Sequence, residues 1–261
     1  MATILVTGAT DGLGRELARR LAARGDHVIA HGRNPERVRQ APGEHVLADL
    51  SDLRAVDAMA DELLSRHDRI DVLVNNAGIG AGTPDSGREL NADGVELRFA
   101  VNYLAGYHLT RRLLPVLAGA VVNVASAGQQ AVDFADPMME RGYTRMRAYA
   151  QSKLSQIMFT FDLAEELAGR GVRVNALHPA TFMDTVMVRQ AGIAPTSTVA
   201  QGADATMRLV DGAQGVTGRY FDGTRDSRAA AQAYDPEARR RLRELSDSLV
   251  TGILGRPSPL S

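Results

Sequence analysis

Apolar positions along this chain follow two rhythms. Short β-branched or aliphatic runs occur at 3–6 ("TILV"), 27–30 ("HVIA"), 45–48 ("HVLA"), 71–74 ("DVLV"), 120–125 ("AVVNVA") and 172–177 ("VRVNAL"). Their length and composition predict buried strands. Between them the spacing changes to i, i+3, i+4. Leu13, Leu17 and Leu21, then Leu53, Val56, Ala60 and Leu63, each form one apolar stripe of a helix. Strands separated by helices imply right-handed crossovers and a parallel sheet covered on both faces. "RYFD" (219–222) supplies a seventh strand, and 235–250 a C-terminal helix with Asp235 as N-cap and Pro236 at its first position. We therefore expect an α/β fold: a Rossmann-type, doubly wound parallel sheet of about seven strands in a single domain spanning 1–261. Two stretches break the rhythm, 127–147 and 179–203. They are expected as substrate loops, because ligands bind beyond the carboxyl ends of strands in such sheets.

Composition narrows the function. The formal net charge of −1 argues against nucleic acid as a partner. With no cysteine, thiol chemistry and disulfides are excluded. No apolar run reaches the ~18 residues of a membrane span. "MATILVTG" enters a strand at once, without the regions of a signal peptide. A cytoplasmic protein is the expectation. The histidines have no acidic or cysteine partner at ligand spacing, so no metal site is expected.

"TGATDGLG" (7–14) joins the first strand to the first helix. Gly8 permits the turn, Gly12 lets the backbone approach a pyrophosphate, and Gly14 lets the helix sit close to the sheet. The helix N-terminus then offers N–H groups and partial positive charge to the anion. Proteins selecting NAD place an acid about 20 residues on, at the end of the second strand. Here "AHGRN" has glycine at that place and Arg33 beside it, whose planar fork suits a 2′-phosphate. NADP(H) is the expected cofactor, with NAD(H) second. Asp11, inside the loop, adds a negative charge that does not favour a phosphate.

"YAQSK" (149–153) holds the only lysine; every other basic residue in the Lys+Arg count of 30 is arginine. Tyr149 and Lys153 are i and i+4, so a helix puts them on one face. A tyrosine of ordinary pKa near ~10 exchanges protons poorly at neutral pH, and a neighbouring ammonium favours its phenolate. Chance would put a lone lysine four residues after a tyrosine about 2% of the time.

"TGATDGLG", "ADL" (48–50), "NNAG" (75–78), "VN" (101–102), "VAS" (124–126) and "YAQSK" stand in the order of the short-chain dehydrogenase/reductase family. The chain resembles that family over nearly its whole length, and its retinol-dehydrogenase-like branch toward the C-terminus. The resemblance implies a catalytic tetrad at Asn102, Ser126, Tyr149 and Lys153. Ser126 would hold the substrate oxygen. Asn102 would distort its helix and support a proton relay. It also implies cofactor contacts at Gly8, Thr10, Asp11, Gly12, Leu13, Gly14, Arg33, Asp49, Leu50, Asn76, Ala77, Gly78, Tyr149, Lys153, Pro179 and Phe182. The family usually has Pro-Gly where this chain has Pro179-Ala180, and "PATFMDT" runs one residue longer before its threonine. The expected activity is hydride transfer between nicotinamide and a carbonyl or alcohol of a small to mid-sized apolar substrate, run as a ketoreductase. An NAD-preferring alcohol dehydrogenase and a non-catalytic dinucleotide sensor stay open, as do elimination or epimerisation with the cofactor recycled. So do a monomer and a homodimer paired through helices near 93–115 and 148–169.

Overall fold

The computed structural model describes residues 1–83, 85, 87–212 and 215–256. The predicted runs become β1 (Thr3–Val6), β2 (His27–Gly32), β3 (Glu44–Leu47), β4 (Ile70–Asn75), β5 (Leu117–Val124), β6 (Arg173–His178) and β7 (Arg219–Asp222). They pair in the order β3-β2-β1-β4-β5-β6-β7, all parallel. An eighth strand, β8 (Arg225–Ser227), turns back antiparallel on β7 and closes the far edge. It was not expected, because three polar residues carry no hydrophobic signal. The strand order reverses between β1 and β4, which opens a crevice at their carboxyl ends.

Helices cover both faces. On one face α1 (Gly12–Ala23) and α7 (Val199–Val210) bury Leu13, Leu17, Leu21 and Leu209 against β1, β4 and β5. Each leucine fully withdrawn from water contributes about 1.5–3 kcal/mol. On the other face lie α3 (Leu53–Arg66), α4 (Ala105–Leu113), α5 (Arg145–Glu166) and α8 (Pro236–Leu254). The expected stripe Leu53, Val56, Ala60, Leu63 is wholly buried. Asp235 caps α8 through the amide of Glu237, as expected, and Pro236 opens it. Two short helices, α2 (Pro35–Val38) and α6 (Val186–Gln190), complete the set. The stretch 179–203, expected as loop, therefore contains α6 and the first turn of α7. No helix among the described residues is long and apolar enough to cross a membrane.

Asn102 lies in a buried π-helical turn, Phe99–Leu104, that leads into α4. Such a turn carries one extra residue and commonly marks a functional position. The helix distortion expected at Asn102 is thus present.

Candidate active site

Four segments meet beyond the ends of β4 and β5. Thr7, at the end of β1, ties two of them together: its hydroxyl accepts from the amides of Asn76 and Ala77, each at 3.0 Å. The Asn76 side chain donates back to the Thr7 carbonyl at 2.8 Å. The glycine loop and "NNAG" therefore form one rigid unit. Gly8 has φ +66°, and a Cβ there would sit 2.9 Å from the Ala77 backbone. A Cβ on Gly14 would collide with the Gly8 carbonyl oxygen and the Asn76 amide. Gly14→Ala is expected to cost about 1–3 kcal/mol by overpacking. Thermal denaturation checks this, with a parallel loss of dinucleotide affinity, since the loop must open.

His31, on β2, has no counterpart in the sequence reading. Its Nδ1 accepts from the Gly8 amide at 3.1 Å, and its Nε2 faces the Ala48 carbonyl at 3.1 Å. Only the neutral tautomer with hydrogen on Nε2 makes both bonds. Burial pushes its pKa down to about 4, which keeps that form at neutral pH.

Asp11 proves to be the N-cap of α1, accepting from the Gly12 amide at 2.7 Å. Arg37, which the sequence reading passed over, reaches the other carboxylate oxygen at 2.9 Å. The loop's negative charge is thereby countered, contrary to the expectation that it stands against a phosphate. Gly32 occupies the acid position at the end of β2, and a Cβ there would lie 2.6 Å from the Thr10 methyl. Arg33 is exposed just beyond it. Asp49 is exposed too, and accepts from the Ser51 amide at 2.9 Å and hydroxyl at 2.8 Å. Leu13 and Leu50 are buried. The loop from 7 to 14 and the exposed arginines beside it suit a phosphate-bearing dinucleotide, held by backbone amides at the α1 N-terminus.

At the other end of the crevice Asn102 Oδ1 accepts from the Ile79 amide at 2.7 Å, while its Nδ2 reaches the Ile79 carbonyl and the Ser152 hydroxyl. Ser152 in turn bonds the Tyr149 carbonyl at 2.8 Å. The distorted turn is thus fastened to "NNAG" and to α5. Lys153 is buried and donates to the Val124 carbonyl and to Gln156 Oε1, both at 2.9 Å; its Nζ lies 5.9 Å from the Tyr149 ring centroid. A Cβ on Gly78 would stand 3.2 Å from Asn102 Oδ1 and 3.5 Å from Lys153 Nζ. One on Gly128 would stand 3.5 Å from Ser126 Oγ and 3.8 Å from Tyr149. Asn102, Ser126, Tyr149 and Lys153 therefore converge, and glycines leave room beside them. Tyr220 and Gln129 hold the Ser126 carbonyl at 3.1 and 3.0 Å.

One expectation is reversed. Burial pushes the Tyr149 phenol above its ordinary pKa, with the Ser126 hydroxyl opposing, and pulls Lys153 down to about 7. The lysine donates to the Val124 carbonyl and Gln156, with its Nζ 5.9 Å from the Tyr149 ring centroid.

A family profile described as short chain dehydrogenase matches residues 2–195. The chain belongs to the short-chain dehydrogenase family. Among curated relatives, human retinol dehydrogenase 13 is 33% identical over 95% of this chain and 84% of its own length. An uncharacterized protein from Mycobacterium paratuberculosis has a structure that superposes with a TM-score of 0.80, at 29% identity, covering 100% of this chain and 96% of the other. A short chain dehydrogenase from Shigella flexneri, complexed with NADP, superposes at 0.66 and 30% identity, over 86% and 97%. This short-chain dehydrogenase is an NAD(P)-dependent oxidoreductase acting on CH–OH groups.

The segment after Pro179 departs from the family's Pro-Gly. Pro179 is buried at the end of β6, and Phe182 beyond it has φ +44° and is 44% exposed. Thr185, the N-cap of α6, comes close to the glycine loop: its methyl lies 3.1 Å from where a Gly12 Cβ would be. Of the expected apolar walls, Met139 is buried and Phe134 and Met138 pack against the core. Phe182, Val186, Met187 and Ile193 are exposed around α6, and Met146 at the start of α5.

Proposed function

We propose that this enzyme is an NADP(H)-dependent ketoreductase for a mid-sized apolar carbonyl compound. The observation that carries the reading is the convergence of the half-buried Tyr149 phenol with Ser126 and Lys153 at the mouth of the crevice. Burial raises the phenol's pKa, which favours the protonated form that serves as the acid in reduction. The dinucleotide supplies the hydride. Tyr149 passes its proton to the substrate oxygen, and Ser126 donates a hydrogen bond to that oxygen as charge develops. Lys153 binds the ribose and, once charged, favours the phenolate left behind. Asn102 keeps the turn at Ile79 and the start of α5 in register for that transfer. Exposed Met146, Phe182, Val186, Met187 and Ile193 favour an apolar substrate.

For the cofactor, Gly32 packed against Thr10 leaves an acid's place filled, and Arg33 and Arg37 put cationic forks at the rim. Gly8, Gly12 and Gly14 cradle the pyrophosphate; Asn76, Ala77 and Gly78 back it, and Asp49 and Leu50 flank the adenine. Calorimetric titration tests this. NADPH is expected to bind at least ~10-fold tighter than NADH, about 1.4 kcal/mol, with Arg33→Ala removing most of the gap. Equal affinities would make Arg33 a bystander and an NAD-linked alcohol dehydrogenase the better reading.

A further inference from the structure

The fold assembles a cluster on the edge of the sheet opposite the crevice. His27 opens β2, Glu44 opens β3, and His67 caps the C-terminus of α3. All three stand at the amino ends of the strands, remote from the glycine loop and Tyr149, and the proposed reaction uses none of them. His27 Nε2 lies 3.1 Å from Glu44 Oε2, and His67 Nε2 lies 3.0 Å from Glu44 Oε1. The three donor atoms all fall within 4.8 Å of one another.

We infer that His27, Glu44 and His67 form a binding site for a borderline divalent cation, with zinc the natural occupant. Two imidazoles and one carboxylate are a ligand set that zinc accepts, leaving a fourth position for water. Ligands about 2.0–2.1 Å from a tetrahedral ion lie roughly 3.3 Å apart. Each imidazole already stands near that length from one Glu44 oxygen, His27 from Oε2 and His67 from Oε1, so either oxygen brings one edge close to it. The remaining separations, all within 4.8 Å, close by turning His27, whose side chain is 41% exposed, toward Glu44 and His67, which are 15% and 12% exposed. The ring centroids are 6.0 Å apart with planes at 47°, so the imidazoles converge without stacking. Arg66 holds Glu44 Oε1 at 2.8 Å. It orients the carboxylate from outside the ligand set, as outer partners of metal ligands do, although its charge opposes the ion. Without an ion the same contacts amount to three donors sharing one carboxylate.

The ligands are 17 and 23 residues apart along the chain, so no motif spacing marks them, and the sequence reading expected no metal. An ion here would staple the edge strand β3, only four residues long, to β2 and to the end of α3. Its effect would be on the stability of that edge.

Calorimetry with zinc chloride on the purified protein, paired with thermal denaturation, tests the site. The parent should take up one ion and melt higher with zinc. His67→Ala and Glu44→Gln should each weaken binding at least tenfold and abolish the shift in melting temperature. His27→Ala, at the half-exposed member, guards against loss of fold and should do the same. His45→Ala, whose imidazole bonds the Ala41 carbonyl instead, should bind as the parent does. No uptake by the parent, or uptake that survives all three ligand substitutions, overturns the site.

Discussion

Tyr149→Phe is expected to lower kcat for carbonyl reduction by about 10³-fold, within the 10²–10⁴ that a positioned acid contributes, while NADPH affinity stays near that of the parent. The substitution removes one oxygen. The ring keeps its place on α5 with Lys153 Nζ 5.9 Å from its centroid, and Gly128 still passes beside it. What is lost is the only phenol of the converging group, and with it the proton for the substrate oxygen. The loss should fall on kcat rather than KM, because the hydroxyl matters where charge develops. Direction gives a second handle. Burial holds the phenol above its ordinary pKa, so the parent's reduction rate should persist from neutral pH toward 9. The oxidation rate should climb with pH over the same range, as the phenolate becomes accessible. Steady-state rates in both directions, with calorimetry on the variant, check these outcomes. A Tyr149→Phe protein equal to its parent would instead favour a dinucleotide sensor.

The parts of this molecule legible in the sequence are those whose cause is local. Gly8, Gly12 and Gly14 could be assigned because a turn, a close approach and a helix contact each demand glycine at a fixed offset. Asp235 and Pro236 marked the start of α8 for the same kind of reason. Asn102 stood out as a poor helix residue, and the π-helical turn at 99–104 bears that out. Contacts between distant segments left no such trace. Arg37 meets Asp11 across 26 residues, His31 meets Gly8 across 23, and Lys153 meets the Val124 carbonyl across 29. The protonation of Tyr149 failed for a related reason. Its spacing to Lys153 was visible, but the direction of its pKa depends on burial by β5, α5 and the loop after Ser126. Strand β8 was missed because an edge hairpin of "RDS" has no apolar pattern to read.

Lys153→Met should abolish reduction and also change how stability depends on pH. Lys153 is buried, and burial lowers its pKa from 10.5 to about 7. The unfolded chain then holds a proton that the folded chain sheds between pH 7 and 10.5. Stability rises with pH wherever the unfolded state binds more protons. The penalty for burying this lysine is therefore full below pH 7 and fades as pH climbs toward the unfolded value. At about 1.4 kcal/mol per unit, it amounts to about 4 kcal/mol at pH 7 and falls by about 2 kcal/mol by pH 9. Methionine fills similar space with no charge to bury, but leaves the Val124 carbonyl and Gln156 Oε1 without their donor, about 1–3 kcal/mol for each. Those two effects nearly cancel at neutral pH, so the absolute stabilities of parent and variant should be close there. Their pH slopes should not be. Between pH 7 and 9 the parent should gain about 2 kcal/mol on the variant, as read from paired urea titrations. Parallel slopes would mean that the lysine stays charged in the folded protein, held by groups at the crevice despite its burial. The chain would then keep its one lysine as a permanent cation, a role for which arginine, abundant everywhere else in the sequence, is no less suited by charge.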